Sequence, residues 1–307
     1  MKDNRVKGII YASITTFLWG FLAIALKMGT NVIDPMTIVW FRFFVAFAIL
    51  FIYFSIAKSA YLKIMLKPPL LLAVAAIGLG LNYVGFLNGV DKTTPSTAQV
   101  LIQLGPILLG LVGVVILKER VSFRQGLGFL VAGLGLFLFY RDNIAKMIGQ
   151  EDAFNTGVLW VLVAAVAWVL YAALQKVLVK SYPAQQLNLV IFGIPALLFL
   201  PFADFDALFE LSPGNWLLMV YLGANTLIAY ACLAVAFKYL EANKVGIIIT
   251  LNPIFTFVFM GLITWLEIKW ISFEEFTIMS LVAALLVVSG AILAVAFTRK
   301  QGGKSKR

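Results

Sequence analysis

The chain has 307 residues, of which 62% are hydrophobic and only 12% are charged. Soluble domains are about half apolar and a quarter charged, so this composition excludes an ordinary soluble domain and indicates a membrane protein. The formal charge of +10 would suit nucleic-acid binding, but the basic residues are spread over alternate loops instead of forming one patch, and we therefore expect no nucleic-acid partner.

Apolar runs of about 20 residues, the length that crosses the hydrocarbon layer as a helix, recur along the whole chain. They predict an all-α integral membrane protein with ten transmembrane helices. The loops between them are short, which leaves no room for a soluble catalytic domain. The predicted spans are, in chain order, 8–29, 35–57, 69–89, 94–116, 124–140, 156–178, 184–203, 214–237, 244–266 and 275–297.

Charged residues alternate between the predicted loops. Eighteen Lys and Arg residues lie at the termini and in the loops after spans 2, 4, 6 and 8, whereas five lie on the opposite side with most of the acidic residues. Because basic loops stay in the cytoplasm, we expect both termini to be cytoplasmic. Short loops and the absence of organelle signals favour the inner membrane of a bacterium as the location.

The chain contains an internal repeat. The stretch "LGPILLGLVGVVILKE" at 104–119 returns as "LNPIFTFVFMGLITWLE" at 251–267, and Trp19 and Trp168 each precede a lysine by eight residues. Five spans per unit, an odd number, place the second unit upside down in the membrane, an arrangement typical of secondary transporters. A duplication kept only for stability is the alternative. The predicted units are two inverted five-helix repeats, 1–145 and 150–300, followed by a basic cytoplasmic tail, 301–307.

Three short motifs carry a resemblance to a known family. They are Trp19-Gly20 in span 1, "FRFF" around Arg42 in span 2, and "LKERVSF" at the end of span 4. In this order, and with the duplication, they resemble the EamA family of the drug/metabolite transporter superfamily over nearly the whole chain. The resemblance implies ten helices, a central cavity lined by spans 1, 3, 4, 6, 8 and 9, and export or exchange of small metabolites. The second unit departs from it, with Val169 after Trp168 and no arginine in span 7.

Polar residues near a proline indicate a binding site in span 4. Gln99 and Gln103 share one helix face, and Pro106 follows three residues later. Because proline has no N–H for the carbonyl four residues back, we expect a kink with an unpaired carbonyl at Ile102 beside these amides. A packing kink is the alternative. The same arrangement recurs in span 9 with Asn252, Pro253 and the carbonyl of Ile249.

Arg42 is the only charge deep inside a predicted span, where it would either attract an anionic substrate group or anchor span 2 to another helix. Aromatic and amide side chains on inward faces would enclose an apolar or aromatic substrate and hold its polar end, although packing explains such residues equally well. The remaining candidates for substrate contact are Trp19, Asn82, Tyr83, Trp168, Tyr171, Gln175, Asn225 and Tyr230.

The chain has no histidine and a single cysteine, and no Asp or Glu falls deep in a predicted span. We therefore expect no catalytic centre, no metal, no cofactor and no proton relay through a buried carboxylate. The leading hypothesis is a secondary transporter of small metabolites, amino-acid-like or amphipathic, working by alternating access. A membrane protein that binds or senses without transport is the alternative. Two units in one chain suffice for a monomer in the lipid bilayer, and a dimer is also compatible with the sequence.

Overall fold

The computed structural model describes residues 2–118, 122–147, 152–268 and 278–296. Every regular element in these ranges is a helix, as predicted for an all-α protein. The basic tail 301–307 and Glu119 lie outside the described residues. Besides two short 3₁₀ turns, Ser59–Met65 and Leu200–Phe202, the helices are α1 (Lys2–Thr30), α2 (Pro35–Ala57), α3 (Leu70–Lys92), α4 (Pro95–Leu101), α5 (Leu104–Val115), α6 (Phe123–Met147), α7 (Asp152–Leu178), α8 (Ala184–Leu198), α9 (Phe205–Phe209), α10 (Pro213–Tyr239), α11 (Ala242–Ile249), α12 (Asn252–Trp265) and α13 (Ile278–Ala296).

Seven segments of the described chain are long and apolar enough to cross a membrane, which supports a multi-pass membrane protein. Helix α8 is also apolar but shorter, because it ends at Leu198 before the 3₁₀ turn that contains Pro201. The number of ten crossings stays a prediction. The seven segments are Asn4–Thr30, Pro35–Ala57, Leu70–Lys92, Pro95–Val115, Ala153–Leu178, Pro213–Tyr239 and Ala242–Trp265.

Predicted spans 4 and 9 are each divided into two helices, α4 with α5 and α11 with α12. Pro106 cannot donate to the carbonyl of Ile102, four residues back. That carbonyl nevertheless accepts a hydrogen bond of 2.9 Å from the amide of Gly105. The expected unpaired carbonyl at Ile102 is therefore wrong, because the backbone tightens into a short turn that uses the group the proline leaves free.

The long helices pack in pairs, α1 along α10, α3 along α7 and α6 along α13. The divided helices complete the bundle, since α5 contacts α7 and α11 while α12 contacts α1. Many large apolar side chains point outward, among them Ile56, Leu70 and Phe137, which are more than half exposed. An apolar exterior around a buried core is what a lipid environment requires.

Glycines allow α6 and α13 to approach closely. A Cβ atom built on Gly290 would lie 2.6 Å from the carbonyl oxygen of Gly128, and one on Gly135 would lie 2.8 Å from the carbonyl oxygen of Ala283. Real side chains do not tolerate such distances to backbone, so the two helices meet at positions that only glycine can occupy. Small residues at helix contacts are the usual way for membrane helices to pack tightly.

Two lysines bind the carboxyl ends of neighbouring helices. The Lys27 ammonium on α1 donates to the carbonyl oxygens of Val90 at 3.2 Å and Asp91 at 2.5 Å, near the end of α3. The Lys176 ammonium on α7 donates to the carbonyl oxygen of Phe237 at 2.7 Å and also to that of Leu240, at the end of α10. Since the last carbonyls of a helix lack partners within it, each lysine caps a helix end.

Candidate functional site

A cavity of about 60 Å³ lies in the centre of the bundle. Helices α1, α2, α3, α7 and α10 form its walls, and both breaks between the divided helices reach it. A volume of this size admits several waters or a compact ligand. The lining residues are Trp19, Leu22, Arg42, Asn82, Tyr83, Phe86, Gln99, Ile102, Gln103, Pro106, Trp168, Tyr230, Ile249 and Asn252.

Nine of the twelve side chains predicted to contact substrate line this cavity. Tyr171, Gln175 and Asn225 do not, although all three are buried. Of the two predicted kink prolines, Pro106 lines the cavity and Pro253 lies in the first turn of α12 outside it.

Four apolar lining residues were not predicted. Leu22 follows Trp19 by three positions and Phe86 follows Asn82 by four, so both share a helix face with a predicted residue. Their spacing from a predicted residue would have identified both Leu22 and Phe86 from the sequence. Ile102 and Ile249 lie at the breaks, where the prolines four residues later pointed to their carbonyl groups but not to their side chains.

Arg42 brings a positive charge to the cavity wall while remaining 2% exposed. Its Nε donates to the Thr226 hydroxyl oxygen at 3.0 Å, and the guanidinium lies 4.2 Å from the centre of the Tyr83 ring. A cation over an aromatic face is stabilised by the ring. In the part of the chain that the structure describes, no acidic side chain lines the cavity, so no carboxylate there neutralises Arg42.

Aromatic rings form one side of the cavity. The Trp19 ring lies 6.1 Å from that of Trp168 and 5.1 Å from that of Tyr230, measured between centroids. The Tyr83 ring is 5.8 Å from Tyr230. The indole nitrogen of Trp168 is buried without a hydrogen-bond partner among the described residues. The Tyr83 hydroxyl is buried and unpaired there as well, so the wall combines apolar contact with two unused donors.

The divided helices supply unused acceptors. Gln103 Nε2 donates to the Gln99 carbonyl oxygen at 3.0 Å, which leaves its Oε1 without a partner in the described part of the chain. Asn252 Oδ1 is likewise buried and unpaired there. Buried polar atoms normally have partners, so two orphaned amide oxygens at the two helix breaks point to a ligand that donates hydrogen bonds.

Asn82 and Asn225 connect neighbouring helices. Asn82 Nδ2 donates to the Ala164 carbonyl oxygen at 2.9 Å, which ties α3 to α7. Asn225 Nδ2 donates to the Leu18 carbonyl oxygen at 3.0 Å, which ties α10 to α1. Amide bonds across membrane helices stabilise their contact. Asn225 therefore serves helix packing, whereas Asn82 both ties helices and faces the cavity.

Among the described residues, the lining of the cavity holds neither cysteine nor carboxylate, and no three His, Cys, Asp or Glu side chains of the described chain lie together so as to hold a metal ion. Glu267 is exposed at the end of predicted span 9. The arrangement of one cation, aromatic rings and amides is suited to binding a small molecule.

Comparison with known proteins identifies a family of transporters. The EamA-like transporter family matches residues 6–141 and 155–296. An "Uncharacterized transporter" of Haemophilus influenzae is 32% identical over 95% of this chain and 96% of its own length. The "Uncharacterized inner membrane transporter YhbE" of Escherichia coli K12 is 31% identical over 100% of this chain and 96% of its own.

The fold is also similar to that of a solved structure, described as "Crystal structure of protein". The two share 19% sequence identity with a TM-score of 0.71, over 96% of this chain and 99% of the other. At this level of identity the likeness concerns the fold alone.

Proposed function

Because the chain belongs to the EamA-like transporter family, we propose that this membrane transporter is a secondary carrier of small metabolites that exports or exchanges them by alternating access. Its ten helices form two inverted five-helix repeats, residues 1–145 and 150–300, with the central cavity between them. Inverted repeats let one cavity open to either side when the two halves exchange roles.

Paired helix contacts support the inverted repeat. If predicted spans 1–5 correspond to spans 6–10, the contact of α1 with α10 has its mate in that of α3 with α7. The contact of α1 with α12 has its mate in that of α5 with α7, and α2 with α10 in α3 with α8. A twofold relation between the halves predicts such pairs.

Side chains at matching positions also support the inverted repeat. Asn82 and Asn225 occupy matching positions and each donates to a carbonyl oxygen of the first helix of the other unit. Lys27 and Lys176 also match, and each caps the helix of the third predicted span in its own unit, α3 and α10. The same chemistry is therefore present once in each half.

The substrate is an amino-acid-like or similar amphipathic molecule. One observation carries this proposal. The Arg42 cation and the unpartnered amide oxygens of Gln103 and Asn252 line the same buried cavity. Arg42 would hold a carboxylate, and the amide oxygens would accept from an ammonium or another donor. The rings of Trp19 and Trp168 would enclose the apolar part.

The protein acts in the inner membrane with both termini in the cytoplasm, as a monomer that needs only lipid and substrate. The name of the E. coli relative supports the inner membrane, and the charge of the loops supports the orientation.

Counterflow in proteoliposomes tests the function. Vesicles loaded with a mixed pool of amino acids and small metabolites are exposed to labelled members of the pool, with wild type, Gln103→Ala and Asn252→Ala in parallel. Saturable exchange that both variants lose is expected. Gln186→Ala, a partly exposed amide away from the cavity, is the control that retains exchange. Binding without exchange in the wild type would favour a sensory protein and contradict the proposal.

A further inference from the structure

A second group of buried polar side chains lies beside the central cavity. Tyr171 and Gln175 on α7 and Asn188 on α8 have no exposed surface. Gln175 Nε2 donates to Asn188 Oδ1 at 3.2 Å, and Asn188 Nδ2 donates to the Tyr230 carbonyl oxygen at 3.1 Å. The Tyr171 ring is 5.6 Å from the Tyr230 ring, which lines the cavity. The group therefore adjoins the cavity without belonging to it.

Two polar atoms of this group have no use in the fold. The Tyr171 hydroxyl and Gln175 Oε1 are buried and have no hydrogen-bond partner among the residues that the structure describes. Buried polar atoms without partners destabilise a protein, and most are therefore paired. A hydroxyl can donate and an amide oxygen can accept, so together they match a ligand that carries both kinds of group.

These residues form a line that leads away from the cavity. Trp168, Tyr171 and Gln175 follow each other at three and four positions and share one face of α7. At 1.5 Å per residue, Gln175 lies about 10 Å along the helix from Trp168, which lines the cavity. Helix α7 ends at Leu178, so the line runs from the cavity to the membrane side on which α7 joins α8.

At the two corresponding positions of α1 the side chains are apolar. The segment "WGFLAIALK" at 19–27 matches "WVLYAALQK" at 168–176, which places Leu22 opposite Tyr171 and Leu26 opposite Gln175. Leu22 is 6% exposed and Leu26 is fully buried. At these two positions a ligand leaving past α1 would meet leucines, whereas a ligand leaving past α7 would meet a hydroxyl and an amide oxygen.

We propose that Tyr171 and Gln175, the latter held in place by its hydrogen bond to Asn188, form a second binding site for the polar groups of the transported molecule, on the route between the cavity and the end of α7. None of the three is charged, so the site suits small dipolar molecules with donors and acceptors. The route past α1 is an apolar seal without such a site. This inference rests on the proposed transport function, and it makes the two halves of the pathway unequal.

Thiol labelling tests the site without knowledge of the substrate. Gln175→Cys and Leu26→Cys, each made in a Cys232→Ser background, are treated in proteoliposomes with a water-soluble methanethiosulfonate reagent. Since thiol reactivity requires access to water, Gln175→Cys is expected to react about tenfold faster than its matched control. An amino-acid mixture should slow the reaction of Gln175→Cys. Equal rates in the two variants, or no effect of the mixture, would overturn the proposal.

Tyr171→Phe tests the role in transport. The change removes one oxygen that has no partner among the described residues, so the melting temperature should stay the same or rise, while counterflow of the amino-acid mixture should show a KM raised several-fold. Tyr53→Phe, at a ring 52% exposed, is the control. A wild-type KM in Tyr171→Phe would refute the second site. Failure of exchange in the wild type would instead refute the proposed function, and the labelling contrast would still decide on the site.

Discussion

Replacing Arg42 with methionine tests how the cavity recognises an anionic group. Methionine keeps much of the length and removes the charge. Two unit charges about 4 Å apart attract by about 4 kcal/mol at an effective dielectric constant of 20. Desolvation offsets part of this, and hydrogen bonds to charged groups contribute about 1.5–3 kcal/mol net. The affinity for a carboxylate should therefore fall about 10- to 150-fold.

Competition counterflow between an amino acid and its uncharged carboxamide measures this effect. The wild type is expected to prefer the carboxylate, and Arg42→Met should lose that preference. Arg42→Lys keeps the charge but not the planar group over the Tyr83 ring, so it should be intermediate. The melting temperature of Arg42→Met should not fall much, because a buried charge without a carboxylate partner is itself costly. An unchanged preference in Arg42→Met would show that the guanidinium does not bind substrate.

Two further predictions concern stability, measured as the temperature at which the detergent-solubilised protein loses its monodisperse peak. Lys27→Met and Lys176→Met each remove a charged cap from a helix end and should each cost about 1.5–3 kcal/mol; no shift in either would show that water caps these carbonyls equally well. Gly290→Leu should separate α6 from α13 and cost more than about 3 kcal/mol, since its Cβ would meet the Gly128 carbonyl. Gly133→Leu, whose Cβ would meet nothing within 4 Å, should be near neutral, and equal losses in the two glycine variants would contradict the close approach.

Several site residues could be found from the sequence because a polar group in a membrane span is rare and costly. Arg42, Gln103 and Asn252 are prominent for this reason, and the structure brings all three to one cavity. Arg42 anchors α2, because its Nε donates to Thr226 on α10, and it also lines the cavity, where binding of an anionic group stays a proposal. Only the structure shows that the neighbours of Arg42 are Thr226 and Tyr83.

Three predicted residues lie outside the cavity, although their sequence positions resemble those of lining residues. Tyr171 and Gln175 share the face of Trp168, but that face extends over about 10 Å of α7 and only its beginning meets the cavity. Asn225 looks like Asn82 in sequence and both donate to a carbonyl oxygen of a neighbouring helix, yet only Asn82 also lines the cavity. Sharing a helix face does not decide which neighbour a side chain meets.

The sequence by itself determined that the protein is helical, lies in a membrane and belongs to its family. These properties follow from local composition, because lipid offers no hydrogen-bond partners and every spanning segment must satisfy its own backbone. Only the tertiary structure decided which polar atoms are used in packing and which are left unpaired. A hydrogen bond between two helices depends on the distance between their backbones. The periodicity of a single helix gives no information about that distance.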